Sequence, residues 1–213
     1  PDRDCSPYHL VFSHYPGRLQ ERLWWIAHAG PAGIRTLPPL DPVNTTGKSE
    51  IPAELHGTEF EFSICEEVGC SLPGMARERV ADAALAWGAD YLLFYDADML
   101  FGTDVFLRLY LDDKPVVGAL AFTGRKPITP VVFKFKEEWA PDGMSVRVNV
   151  GVQHDYQRDA LQQVDAIGSG MFLIKTSVFS QVPKPWFHST GMGEDIFFCL
   201  MCKKYGVPVW LDS

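Results

Sequence analysis

The stretch Tyr91-Leu92-Leu93-Phe94-Tyr95-Asp96-Ala97-Asp98-Met99-Leu100-Phe101 constrains the fold more than any other. An unbroken apolar and aromatic run leads straight into two aspartates one residue apart. With Gly88-Ala89-Asp90 before it, such a run predicts a strand buried on both faces. Two carboxylates at its end need a reason, because a buried charge is costly unless it is paired or binds a metal. In open α/β sheets, ligands gather beyond the carboxyl ends of the strands. The pattern points to a divalent-cation and polyphosphate site at Asp96 and Asp98. A solvated strand-to-loop turn, where Asp is common, would carry the same residues.

The flanking segments supply the rest of an α/β pattern. His9 to Phe12 is a short apolar run, followed by a loop at Ser13-His14-Tyr15-Pro16-Gly17. Leu19, Leu23, Ile26 and Ala27 recur at helical spacing and predict a helix there. Phe60 to Cys65 alternates like a strand. Ser71 suits a helix N-cap with Pro73 in the first turn, and Gly88 suits the residue after the helix end. Strand, helix, strand in this order predicts a parallel crossover. Val105–Leu111 reads as a short helix and Pro115 to Phe122 as a buried strand. Val131 to Lys136 and Ser145 to Val150 alternate around a hairpin-like Pro141-Asp142-Gly143. Val164 to Ile174 is apolar but broken by Gly168-Ser169-Gly170. Thr176 suits the cap of a short helix. Gly193-Glu194-Asp195 opens a helix that Gly206 ends, and Val207 to Leu211 is a last strand.

This gives an α/β fold: one domain over 1–213, with a mixed, mostly parallel sheet and helices on both faces. The 213 residues and 46% hydrophobic content suit a single packed core. Nineteen Lys and Arg against 27 Asp and Glu leave a net charge of −8, which argues against a nucleic-acid backbone as partner. No apolar run is long enough to span a membrane. The five cysteines are odd in number and irregularly spaced, unlike a disulfide framework. Cys199 and Cys202 form one C-x-x-C, too few ligands for the usual zinc site. Buried thiols in a reducing, cytoplasmic compartment are the expectation.

Three pieces in order carry a resemblance: the D-x-D of Asp96-Ala97-Asp98, the glycine-broken strand Val164 to Ile174, and Gly193-Glu194-Asp195-Ile196-Phe197-Phe198-Cys199 with its following strand. From about Ser71 to Asp212 the chain resembles the metal-dependent GT-A glycosyltransferases, family-2-like members included. The resemblance implies a single Rossmann-like GT-A domain, with a nucleotide-binding half at about 1–112 and an acceptor-binding half at about 113–213. It implies a nucleoside-diphosphate sugar as donor and Mn²⁺ or Mg²⁺ on the leaving diphosphate. The acceptor would be a hydroxyl group on a glycan, lipid or protein. Asp98 would be the direct metal ligand. Asp96 would meet the ribose and reach the metal through water. Asp195 would be the general base of an inverting transfer, with Glu194 supporting it.

By position, the resemblance also implies donor contacts at Tyr15, Pro16, Arg77 and Ala97, and acceptor contacts at Gly168, Ser169, Gly170 and Trp186. The residues alone allow plainer roles. Acids favour helix starts by the dipole, the glycines suit a bulge as well as a close approach, and Trp186 suits a core. Arg125 could reach a phosphate or simply be solvated. Many members take a third metal ligand, a His a few residues beyond the strand ending at Asp212, and His188 is poorly placed to replace it. The given sequence stops at Ser213, so the chain is expected to continue.

Other readings keep part of the pattern. A haloacid-dehalogenase-like phosphatase also places D-x-D after a buried strand, but early in its domain and with other residues than Met99 and Leu100 behind it. A nucleotidyltransferase would want a glycine-rich basic loop, of which Tyr15-Pro16-Gly17-Arg18-Leu19 is a thin version. A non-catalytic nucleotide- or sugar-binding domain on the same fold is also open, since fold does not fix function.

Overall fold

The computed structural model describes residues 7–14, 20–25, 59–60, 72–96, 99–102, 104–124, 126–139, 146–189 and 191–213. In chain order the elements are β1 Pro7–His14, β2 Gln20–Trp25, β3 Glu59–Phe60, α1 Pro73–Trp87, β4 Tyr91–Asp96, α2 Val105–Leu111, β5 Val116–Ala119, β6 Val132–Trp139, β7 Val146–Val152, β8 Leu161–Val164, β9 Ala166–Ile167, β10 Met171–Lys175, α3 Val178–Gln181, α4 Glu194–Lys204 and β11 Val209–Asp212. Among the described residues the main sheet has eight strands in the order β3-β2-β1-β4-β10-β5-β11-β8, and β7-β6-β9 form a second sheet. The architecture is α/β.

Some local signals act where they were expected and two do not: the residue before α1 is Leu72 rather than Ser71, and the one before α3 is Ser177 rather than Thr176, whose hydroxyl donates instead to Ala89 O and Asp90 O. Pro73 opens α1, where its missing N–H costs nothing, and Gly88 ends it with φ 80°, a conformation that penalises a Cβ. In β4, Leu92, Leu93 and Phe94 are fully buried. Both faces of the sheet are covered. Leu92 and Phe94 pack with Val80 and Ala84 of α1, Phe179 of α3 and Phe198 of α4. Leu93 points the other way, with Val117, Leu173 and Leu109 of α2. This alternation is the period-2 geometry of a strand. It explains why β4 reads as an unbroken apolar run.

Strand direction differs from the expectation. Among the described strands of this sheet only β5–β11 and β2–β3 pair in parallel; β1–β2, β1–β4, β4–β10, β10–β5 and β11–β8 are antiparallel. The sheet is mixed but mostly antiparallel. A run buried on both faces reports helices above and below the sheet, and that condition holds in either direction. β10 enters between β4 and β5, so the two halves expected at about 1–112 and 113–213 share one sheet. The helix expected near residue 19 is also replaced: Gln20–Trp25 is a strand hydrogen-bonded antiparallel to β1. Leu23-Trp24-Trp25 is rich in the large apolar side chains that suit a sheet, and pairing with β1 outweighs the helical spacing.

β4, β5 and β11 run in the same direction, and β10 and β8 run against them. One edge of the sheet therefore collects Asp96, Ala119, Asp212, the start of β10 and the start of β8. β1 leaves this edge, since Pro7 pairs with Asp96 and Phe12 with Tyr91. No helix among the described residues is long and apolar enough to cross a membrane.

A candidate active site at the carboxyl edge of the sheet

β4 delivers Asp96 to the sheet edge with its side chain 30% exposed. Its backbone is fixed on both sides. Asp96 N–H donates to Gly170 O at 3.0 Å, and Met99 N–H donates to Asp96 O at 3.1 Å. The Tyr95 hydroxyl donates to Met99 O at 2.8 Å and pins the loop after the strand. The start of β10 is thus bonded directly to the D-x-D end of β4.

Arg77 joins these elements to α4. It sits in α1, buried to 4% exposure, with its guanidinium 5.0 Å from the centre of the Phe94 ring. Nε donates to Glu194 Oε1 at 3.1 Å and Nη2 to Asp96 Oδ1 at 3.2 Å. Nη1 is buried and has no hydrogen-bond partner. A planar fork with fixed donor directions can hold two carboxylates and present a third edge in this way.

Asp195 lies beside Glu194 in the first turn of α4. Its Oδ1 accepts from Ile196 N–H at 2.7 Å and its Oδ2 from Ser169 N–H at 3.3 Å. Burial raises its pKa above the ordinary aspartate value, Arg77 pulls it down, and neighbouring Glu194 pushes it up again. A carboxylate that is reluctant to stay ionised is suited to accept a proton. Gly193 makes the turn possible. Its φ is 93°, and a Cβ there would lie 2.8 Å from Asp195 Oδ1.

The expected site residues fall into three groups. Asp96, Arg77, Glu194, Asp195, Gly168, Ser169 and Gly170 converge at one place. The glycines there make room for the protein itself: a Cβ on Gly168 would clash with Val131 Cγ1, and one on Gly170 would meet Met99 at 3.3 Å. Trp186 is elsewhere. It is 4% exposed, donates its indole N–H to Val182 O at 2.7 Å and packs on Phe179, so it is a core residue with no open face for a sugar. Tyr15, Pro16, Ala97, Asp98, Ser71 and Arg125 lie outside the described residues.

For a divalent cation, the donor chemistry fits. Asp96 and Glu194 offer hard carboxylate oxygens, partly open to solvent, of the kind Mg²⁺ and Mn²⁺ take. Among the described residues no three His, Cys, Asp or Glu side chains gather as a complete ligand set. Cys199 and Cys202 are free thiols in the core, and burial pushes both pKa values up, that of Cys202 to about 12.

Other residues that shape the site had no signal in the sequence. Glu78 accepts hydrogen bonds from the N–H groups of Trp186 and Phe187 at 2.9 and 3.0 Å, and so ties the segment before α4 to α1. Further along the edge, Arg108 pairs with the buried Asp212 at 2.6 Å. Only the position of Asp212 at a strand end, like that of Asp96, could have drawn attention to it.

No family model matches this chain, and no curated protein matches it. Among solved structures, A197 from STIV is similar at a TM-score of 0.46 with 17% identity, over 71% of this chain and 68% of that one.

Proposed function

We propose that the protein is a metal-dependent glycosyltransferase of the GT-A kind. It would move a sugar from a nucleoside-diphosphate sugar to an acceptor hydroxyl with inversion. The observation that carries the reading is the bridge made by Arg77. One buried guanidinium joins the D-x-D strand end at Asp96 to the acidic helix start at Glu194, and Asp195 stands beside it.

In this reading Asp96, with Asp98, would hold a divalent cation, which would supply charge neutralisation to a departing diphosphate. Arg77 fixes the Asp96 carboxylate. Ser169 and Ile196 N–H groups orient the Asp195 carboxylate. Asp195 takes the proton of the acceptor hydroxyl while that oxygen bonds to the anomeric carbon. The bond from that carbon to the diphosphate breaks, and its electron pair leaves with the diphosphate.

The test is calorimetry of nucleoside diphosphates with Mn²⁺ and with EDTA, on the wild type and Asp96→Asn. Mn²⁺-dependent binding that weakens by about 1.5–3 kcal/mol in the variant, the scale of a lost bond to a charged group, is the expected result. Equal affinity in EDTA and Mn²⁺ would reject the reading.

A further inference from the structure

Gly74, Arg77 and Glu78 lie three and four residues apart on α1 and so share one face of the helix. That face meets the chain just before α4 and at its start. Gly74 lies against the Phe187 carbonyl oxygen and Glu194. Arg77 holds the Glu194 carboxylate. Glu78 Oε2 accepts the N–H groups of Trp186 at 2.9 Å and Phe187 at 3.0 Å. Both of these residues are buried, and a buried backbone N–H needs an acceptor. One carboxylate oxygen serves the two. The other oxygen, Oε1, is 4.0 Å from Lys184 Nζ, which bonds to Asp82 one turn further along α1.

Phe187 in turn seats α4 against β4. Its ring stacks on Phe198 of α4 at 4.9 Å and 17°, and meets Phe94 of β4 edge-on at 5.2 Å. Phe94 is two residues before Asp96, on the same face of the strand. Phe198 is one turn beyond Glu194. The place of Phe187 therefore governs the gap between the Asp96 strand end and the acidic helix start. Arg77 spans that gap with donors at fixed angles, so its two bonds tolerate little change in it.

From these observations we infer that Glu78 is a positioning residue for the site. By holding the backbone of Phe187 it keeps the start of α4, with Glu194 and Asp195, in register with Asp96. It acts through Phe187 and the Arg77 bridge. What it contributes is an acceptor oxygen in a fixed place rather than a charge, so Gln should replace it and Ala should not. The consequence for catalysis rests on the transferase reading, where a misplacement of about 1 Å can cost about 10²-fold in rate. The consequence for the Arg77–Glu194 bond stands without that reading.

The experiment compares Glu78→Ala, Glu78→Gln and Glu78→Asp with the wild type. Asp keeps the carboxylate but draws it back by one methylene, and replaces Ala in the comparison if Glu78→Ala does not fold. Leu109→Val, in the core on the opposite face of the sheet, controls for plain loss of stability. The first readout is the Arg77 Nε–Hε resonance in ¹H–¹⁵N spectra, identified by its loss in Arg77→Lys, and its exchange rate with water. Exchange should speed about tenfold or more in Glu78→Ala and Glu78→Asp, the scale of a lost bond to a charged group. It should stay as in the wild type in Glu78→Gln and Leu109→Val. The second readout is kcat and KM for Mn²⁺-dependent hydrolysis of nucleoside-diphosphate sugars. In Glu78→Ala kcat should fall about 10²-fold with KM nearly unchanged, and Glu78→Gln should restore it. Exchange unchanged in the Ala or Asp variant, or equally fast in Glu78→Gln or Leu109→Val, overturns the inference. So does turnover in the wild type with kcat unchanged in Glu78→Ala. No turnover in the wild type removes the transferase reading, and the exchange rates alone then decide the role of Glu78.

Discussion

Arg77 and Asp96 meet at 3.2 Å across the end of the central strand, with the arginine buried and the aspartate partly open. The same guanidinium reaches Glu194 at 3.1 Å. One cation thus holds together two anionic groups from β4 and α4 that would otherwise repel.

Removing that cation should be expensive. Arg77→Ala removes the guanidinium that both carboxylates share, and breaking a buried pair costs about 3–5 kcal/mol. The low end, about 3 kcal/mol, is expected because both carboxylates keep some contact with water. Arg77→Lys should recover only part of the loss, since an ammonium lacks the fork. Urea denaturation reads both variants. A midpoint equal to wild type in Arg77→Ala would mean the bridge does not support the fold.

Asp195→Asn should leave donor affinity nearly unchanged and lower kcat by about 10²–10⁴, the scale of a positioned general base. As a general base Asp195 would act in its ionised form, and its pKa is raised. Activity should therefore fall on acidification at a pH above the ordinary aspartate value of 3.8. A pH–rate profile with single-turnover rates checks this. Collapse of donor affinity along with the rate would place Asp195 in the donor site instead.

Asp112 should make stability depend on pH. Burial first, and then the nearby Asp212, raise its pKa to about 6, while Arg108 and Lys114 oppose the shift. Its Oδ2 is buried without a hydrogen-bond partner. The folded state therefore holds the proton more tightly than the unfolded one. The stability from this group is present below about pH 4 and is lost as pH rises through 6. Asp112→Asn should remove this slope and stabilise the protein at pH 7 by about 1–2 kcal/mol, after allowing for solvent screening. Melting temperatures between pH 4 and 8 for both proteins decide it; parallel curves would reject the assignment.

Gly74→Ala tests how closely α1 meets the segment before α4. Alanine improves helix propensity by up to about 1 kcal/mol. Its Cβ would, however, lie 2.7 Å from the Phe187 carbonyl oxygen and 3.3 Å from Glu194 Cβ. Backbone does not yield cheaply, and overpacking costs about 1–3 kcal/mol. Net destabilisation is expected by thermal unfolding. A higher melting temperature would show that α1 can shift without loss.

What could be read from the chain alone was local. The apolar run into Asp96, Pro73 and Gly88 around α1, and Gly193 with Glu194-Asp195 at the start of α4 each act through neighbours in sequence. Backbone dihedrals, capping and side-chain period decide such features. The convergence of Asp96, the glycine turn and Asp195 was legible only because their order along the chain resembles a known pattern. Tertiary structure decided the rest. Whether β10 pairs parallel or antiparallel with β4 depends on partners about eighty residues apart, as in Leu93 opposite Leu173, and a doubly buried strand reads alike in both directions. Whether Trp186 faces a ligand or the core depends on Val182 and Phe179 around it. Arg77 became a bridge because burial left its charge no water, and folding placed carboxylates from two other elements within reach.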